Sequence, residues 1–358
     1  MYIENRDKKK MGVKINELVN EVKRTITFEN LFKKSIAIDA FNTIYQFLAI
    51  IRQRDGTSLK DFQGNVTSHL SGLFYRSINF LEHNIKPIYV FDGIPSELKL
   101  DTIMERKKIK NEAKEKMIKA QDDEDFKEAK KFAQFTSTLD AEMIEESQKL
   151  IEFMGMPIIR ANSEGEAQSA YLVEKGDAWA CASQDYDTLL FGGERLLRNF
   201  AISRSRKVRD TTVTLDIEYV SLNKFLNNLG ITREQLIEMG ILIGTDFFPG
   251  IKGIGQKTAL DFIRKYDSIE NILKNQVMIG GKEIILDLEL VAQIKDIFLN
   301  PDVKKDYRIP KPKKVDFEKL EELLIEQHNF SRQRVENALE RLKKLDTSKI
   351  QVSLDDFF

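Results

Sequence analysis

Three short apolar runs, Ser35-Ile-Ala-Ile-Asp39, Pro87-Ile-Tyr-Val-Phe-Asp92 and Trp179-Ala-Cys-Ala-Ser-Gln-Asp185, each end on a carboxylate. That recurrence constrains the fold more than any other feature of the chain. Runs of this kind, apolar throughout instead of alternating, read as parallel strands buried on both faces. Pro157-Ile-Ile-Arg160 reads as a fourth. Amphipathic helical stretches separate the runs, so the chain predicts an α/β fold, a mostly parallel twisted sheet flanked by helices. Ligands of such sheets bind outside the carboxyl ends of the strands, which is where Asp39, Asp92 and Asp185 fall.

Four more acids stand where apolar sequence gives way to a turn or helix: Glu164 and Glu166 in Ser163-Glu-Gly-Glu-Ala, Asp187 two residues beyond Asp185, and Asp246 in Ile-Gly-Thr-Asp-Phe. Seven converging carboxylates repel one another unless cations lie between them. The set therefore predicts a multi-metal site acting on a phosphate-rich substrate. Two pieces carry simpler readings as well. Ser163 and Glu166 have the spacing of a capping box. Asp185-Tyr-Asp187 suits a turn, or the Asp-x-Asp of a haloacid-dehalogenase-like phosphatase. That phosphatase pattern expects Thr or Val two residues past the second Asp; Leu189 stands there, and the other five acids would have no role.

With 358 residues and 42% hydrophobic composition, the chain can bury a substantial core. Its one cysteine, Cys181, has no intramolecular disulfide partner and sits in an apolar stretch. No window has the length of a membrane span and the first ten residues lack the apolar core of a secretion signal, so the expectation is a soluble intracellular protein. The net charge of −1 hides a division between acidic clusters and basic helices.

From Leu98 to Phe135 charged helix formers dominate and no strand pattern appears, which predicts a helical excursion from the sheet. Lys99, Arg106 and Lys110 are spaced by seven and four and share a helical face. The acidic run Asp122-Asp-Glu-Asp125 follows. Beyond Asp187, a less regular segment holding Val213–Val220 leads to a helical half, with helices expected near 232–243, 256–266, 316–328 and 331–345. Pro310-Lys-Pro-Lys-Lys314 reads as an extended linker.

Two further motifs are specific. Gly250-Ile-Lys-Gly253-Ile-Gly255-Gln-Lys-Thr-Ala259 has the helix-hairpin-helix pattern, in which glycines allow a tight turn whose N–H groups, with the next helix's N-terminus, grip a DNA phosphate. Lys252 and Lys257 flank it and add salt-sensitive attraction to the backbone. The last eight residues, Gln351-Val-Ser-Leu354-Asp-Asp-Phe357-Phe358, match the peptide by which replication proteins dock on the sliding clamp. A terminal Phe-Phe on a polar tail points to a binding site and not to core.

These motifs together resemble the flap endonuclease family from Met11-Gly12 to Phe358. The resemblance assigns Asp39, Asp92, Glu164, Glu166, Asp185, Asp187 and Asp246 to a cluster binding two Mg²⁺, with Mn²⁺ as substitute. It implies hydrolysis of a phosphodiester near the junction of DNA bearing a 5′ flap, with Lys99 and Arg106, seven and fourteen residues past Asp92, on the scissile phosphate. Lys99, Arg106, Asp92 and Asp185 are thus the expected catalytic residues. Tyr45 would stack on a base, Arg52 and Arg76 would touch phosphates, and a K⁺ ion would sit at the glycine turn with Lys252, Gly253, Gly255 and Lys257 on the duplex. Gln351, Leu354, Phe357 and Phe358 would bind the clamp, PCNA.

The implied organisation is a leader over 1–10 ahead of Met11-Gly12, a nuclease core over 12–330, a C-terminal helix over 331–345 and a flexible tail over 346–358. The core would contain an arch over 94–135 and a helix-hairpin-helix region over 232–266. The expected partners are branched or nicked DNA and the clamp, with no membrane, and a monomer away from the clamp. Compact length favours an archaeal, cytoplasmic protein over a nuclear one. The alternatives are a relative of the same superfamily (a 5′ exonuclease, excision-repair nuclease or junction resolvase) and a non-catalytic, clamp-recruited DNA-binding adaptor. An adaptor has no reason to keep seven carboxylates beside Lys99 and Arg106.

Overall fold

The structure, a computed structural model, describes residues 12–53, 55–123, 125–133, 136–201, 205–208, 211–214 and 216–355. Its main sheet has seven strands: β1 (Arg24–Ile26), β2 (Ser35–Asp39), β3 (Lys86–Phe91), β4 (Ile158–Arg160), β5 (Ala180–Ala182), β6 (Arg195–Arg198) and β7 (Ile217–Ser221), in the order β1-β7-β6-β5-β2-β3-β4. From β6 to β4 every neighbouring pair is parallel. β7 and β1 then add an antiparallel edge.

All four strands read from the sequence are present. Two differences are local. The third run leaves the sheet after Ala182, because the chain bends at Gln184 and Asp185, so Asp185 lies beyond the strand end. The antiparallel edge was not expected: β1 and β6 are too short and too charged at their ends to stand out, and Ile217–Ser221 comes from the segment read as less regular.

Side chains alternate across the sheet and build a core on each face. Ala37, Val90, Cys181, Leu196 and Val220 face the layer containing the helices Gly165–Glu174, Arg233–Ile243 and Gln256–Tyr266. Ile36, Ile38, Phe91, Ala182 and Leu197 face the helices Ala40–Ile50, Ser68–Glu82 and Ala141–Phe153. The charged excursion is two helices, Leu100–Asp122 and Phe126–Ala133, broken at the acidic run.

In the C-terminal half Thr232 opens its helix with a capping box closed by Gln235. The helix expected at 316–328 begins as Phe317–Glu321 and widens into a π-helical stretch over Glu322–Gln327. The final helix runs from Arg332 to Asp355, ten residues past the expected end, so helix replaces the tail expected from 346 up to that point. Among the described residues no helix is long and apolar enough to cross a membrane.

Candidate active site

Because β2, β3, β4 and β5 are parallel, their carboxyl ends share one edge of the sheet, and six of the seven acids lie on the turns that leave it. Asp39 ends β2 and caps the following helix, its Oδ1 accepting from the Asn42 N–H at 2.9 Å. Asn42 in turn donates through Nδ2 to Asp185 Oδ2 at 2.7 Å. Asp92 follows β3 and reaches across to the helix after β4, accepting from the Gly165 N–H at 2.8 Å. That contact replaces the capping box expected from Ser163: Glu164 is the cap position and its side chain makes no capping bond. Gly165 is required here, since a Cβ would collide with the Asp92 carboxylate.

Glu166 Oε1 accepts from Ser183 Oγ at 2.8 Å and Thr188 Oγ1 at 3.2 Å. Asp187 Oδ1 accepts from the Val13 N–H at 2.6 Å. Gly12 makes this approach possible: its φ is +70°, and a Cβ would stand 3.1 Å from both Asp185 Cβ and Asp187 Oδ1. Asp246, from the loop after Arg233–Ile243, completes the set through Lys99, whose ammonium pairs with Glu164 and lies 3.5 Å from Asp246 Oδ2.

The electrostatics join all seven acids. Burial, and after it Glu164, pushes Asp92 up to about 6. Burial, then Asp246 and Asp185, pushes Asp187 up to about 8. Asp39 is raised by burial, Asp92 and Asp185, and Glu166 by burial, Asp185, Asp187 and Asp39. Burial alone would lower Lys99, but Glu164, Asp246 and Asp92 outweigh it and hold the ammonium above its ordinary value. Such a concentration of like charge at a strand-end crevice is matched to cations and phosphate.

The donors are hard oxygens, the ligand chemistry of Mg²⁺ and Mn²⁺. Among the described residues, however, no three acidic, histidine or cysteine side chains are already arranged around one point as ligands. The fit is one of chemistry and charge, and not of ready-made coordination geometry.

The expected substrate contacts divide. Tyr45 is partly exposed on the helix after Asp39, with Lys110 of the excursion 5.6 Å from its ring centroid. Arg106 lies on the Leu100–Asp122 helix, and its side chain is outside the described residues. Arg52 donates to Gly56 O at 2.9 Å and Ser137 Oγ at 2.8 Å, and Arg76 lies 5.1 Å and 5.2 Å from the Phe28 and Phe80 ring centroids and donates to the Phe200 carbonyl. Both arginines therefore have internal structural work.

Lys252, Gly253, Gly255 and Lys257 are all exposed around the turn that opens Gln256–Tyr266, with Gly250 and Gly253 at φ +79° and +95°. Lys257 also lies 3.1 Å from Glu17. Gln351 and Leu354 fall in the last helix, with their side chains outside the described residues, as are Phe357 and Phe358 entirely.

Sequence reasoning missed Asn42 and Ser183. Asn42 links Asp39 to Asp185, and Ser183 Oγ lies between Glu166 and Asp39, 3.5 Å from Asp39 Oδ2. Only the position of Asn42 three residues after a strand-end Asp hinted at it.

Residues 11–113 match the XPG N-terminal domain and residues 155–246 the XPG I-region. With the parallel sheet and its acidic edge, these define a metal-dependent nuclease, of a kind generally served by Mg²⁺, that acts on DNA phosphodiester bonds. Flap endonuclease 1 of Ignicoccus hospitalis is 47% identical over 355 residues, covering 97% of this chain and 99% of its own, and that of Pyrococcus horikoshii is 48% identical over 352. The solved flap endonuclease-1 from Methanococcus jannaschii superposes with a TM-score of 0.72 at 38% identity, over 94% of this chain and all of that one. The chain belongs to the flap endonuclease family. The catalytic core of Rad2 in complex with DNA substrate matches with a TM-score of 0.71 over 92% of this chain and 99% of that one, and at 24% identity it shows the shared fold.

Proposed function

We propose that the chain is a structure-specific 5′ flap endonuclease and 5′–3′ exonuclease, hydrolysing phosphodiesters near the junction of 5′-flap DNA during Okazaki fragment maturation and repair. The observation that carries this reading is the set of seven carboxylates, linked by mutual repulsion at one sheet edge, with Lys99 held among them. Asp39, Asp92, Glu164, Glu166, Asp185, Asp187 and Asp246 would hold two Mg²⁺, for which Mn²⁺ substitutes. When bound, such ions activate water and neutralise charge on the phosphate and leaving oxygen.

The chain's own residues do the rest. Asn42, Ser183, the Gly165 N–H and the Val13 N–H fix the orientation of the acids. Lys99, already charged and largely buried, exchanges a carboxylate for the scissile phosphate, and Arg106 acts from the next turns of the same segment. Asp92 and Asp185, on the turns that follow β3 and β5, stand with them as catalytic residues.

Residues 94–135 form the arch through which a 5′ end passes, and Tyr45 at its foot stacks on a base. The 232–266 region, with Lys252, Gly253, Gly255 and Lys257, grips the duplex with a K⁺ at the turn. Residues 351–358 tether the enzyme to PCNA, which raises its local concentration on DNA. A cytoplasmic setting suits an archaeal enzyme of this kind. Flap, nicked and single-stranded substrates compared in Mg²⁺ and in EDTA test the reading: flap cleavage should dominate and vanish in EDTA, whereas equal cutting of single strands would refute it.

A further inference from the structure

Two of the chain's three histidines meet in a buried cluster that shares no residue with the acidic edge. His328, at the end of the π-helical stretch, is 5% exposed and faces a carboxylate through each ring nitrogen: Nδ1 lies 3.0 Å from Asp61 Oδ2 and Nε2 lies 2.9 Å from Glu146 Oε1. Glu146 belongs to Ala141–Phe153, and its other oxygen lies 3.2 Å from Nε2 of the fully buried His69 on Ser68–Glu82, whose Nδ1 has no hydrogen-bond partner. Asp61, Glu146 and His69 are thus the titratable groups facing His328 from the loop and the two helices.

A neutral imidazole has one N–H, and a carboxylate only accepts. Asp61 is held as a carboxylate by the Gln63 and Asn65 N–H groups at 2.9 and 2.8 Å and by Asn65 Nδ2 at 3.1 Å. Both His328 contacts are therefore made at once by the imidazolium. Those same bonds fold residues 61–65 into a turn, and the Phe62 N–H is fixed to Asn329 Oδ1 at 3.1 Å while its ring stands 92% exposed.

We propose that His328 is a pH-operated latch: as the imidazolium it pins the Asp61–Asn65 turn, and Phe62 with it, to the helix Ala141–Phe153 and to the turn ahead of the last helix, and it releases the Asp61–Asn65 turn when it loses its proton. The electrostatics agree in direction. The Glu146 bond, against burial and with help from Asp61, holds His328 above its ordinary 6.5. Against burial, His328 and His69 draw Glu146 down to about 2, and Asp61 is also lowered. With the His328 value raised by folding, the latch contributes fully below pH 6.5 and is lost as pH rises through the raised value. Glu146 would fail only in acid near pH 2.

Hydrogen exchange on the full chain with saturating Mg²⁺, corrected for intrinsic rates, tests this. Protection of residues 58–67, relative to the strand Lys86–Phe91, should fall at least tenfold between pH 6 and pH 10, and in His328→Gln it should be low and unchanged by pH. A ratio that is the same at both pH values, or that falls equally in His328→Gln, overturns the latch. Should that variant fail to fold, NMR titration of the wild type decides: a His328 midpoint above 6.5, moving the 61–65 amides with it, supports the latch, and a His328 already neutral at pH 6 overturns it.

Discussion

Replacing Asp187 by Asn should stabilise the metal-free protein. In the fold the carboxyl is displaced from 3.8 to about 8, chiefly by burial and then by Asp246 and Asp185. A displacement of roughly 4 on the pH scale corresponds to ~6 kcal/mol between the two protonation states at about 1.36 kcal/mol per unit. Its sign follows from linkage. The folded state binds the proton more tightly, so this group's favourable contribution is complete below pH 3.8 and is lost as pH rises to about 8.

The neighbouring carboxylates that help raise Asp187 remain crowded after the change, so one substitution recovers only part of the energy, about 2–3 kcal/mol at pH 8. Asn keeps an Oδ1 to accept from Val13 N–H and is nearly isosteric. For a chain of this size the gain amounts to roughly 3–4 °C in Tm. Differential scanning calorimetry in EDTA at pH 5 and pH 8 reads it: Asp187→Asn should melt higher than wild type at pH 8, with a smaller gap at pH 5, and divalent ions should raise its Tm less than they raise the wild type's. A variant less stable than wild type at pH 8, or a gap indifferent to pH, would refute the reasoning.

Lys99→Met should act in the opposite direction, lowering metal-free stability by about 2–3 kcal/mol because Glu164 and Asp246 lose their buried counter-charge, as chemical denaturation would report. Arg106→Ala should lower single-turnover cleavage at least tenfold while flap affinity in Ca²⁺ changes less than threefold; a loss confined to affinity would assign Arg106 to binding alone. Removing residues 351–358 should abolish stimulation by the clamp and leave intrinsic cleavage unchanged, and undiminished stimulation would count against the tether.

Much of this arrangement was legible because its signals are local. Apolar runs ending in Asp39 and Asp92 specify both the strand and its functional end, and parallel pairing then brings separate runs to one edge. The glycines at 250 and 253 announce their turn because positive φ restricts the residue type. What stayed hidden depends on contacts distant in sequence. The cap of Gly165–Glu174 comes from Asp92, 73 residues away, so the local Ser163 pattern misled. The antiparallel edge pairs β1 near the start of the described chain with β7 far along it, and neither short strand carries a period of its own. Hidden for the same reason are Ser137 as an internal partner of Arg52 and the aromatic cluster against Arg76.

The central claim, that the strand-end acids hold the ions that cut a flap, is tested most directly by single-turnover cleavage of a 5′-flap substrate by Asp92→Ala at saturating Mg²⁺. Binding is measured separately in Ca²⁺. Loss of one ligand's share of transition-state stabilisation, ~4 kcal/mol, predicts cleavage slowed about 10³-fold with flap affinity held within a few-fold. Cleavage near the wild-type rate would contradict the account.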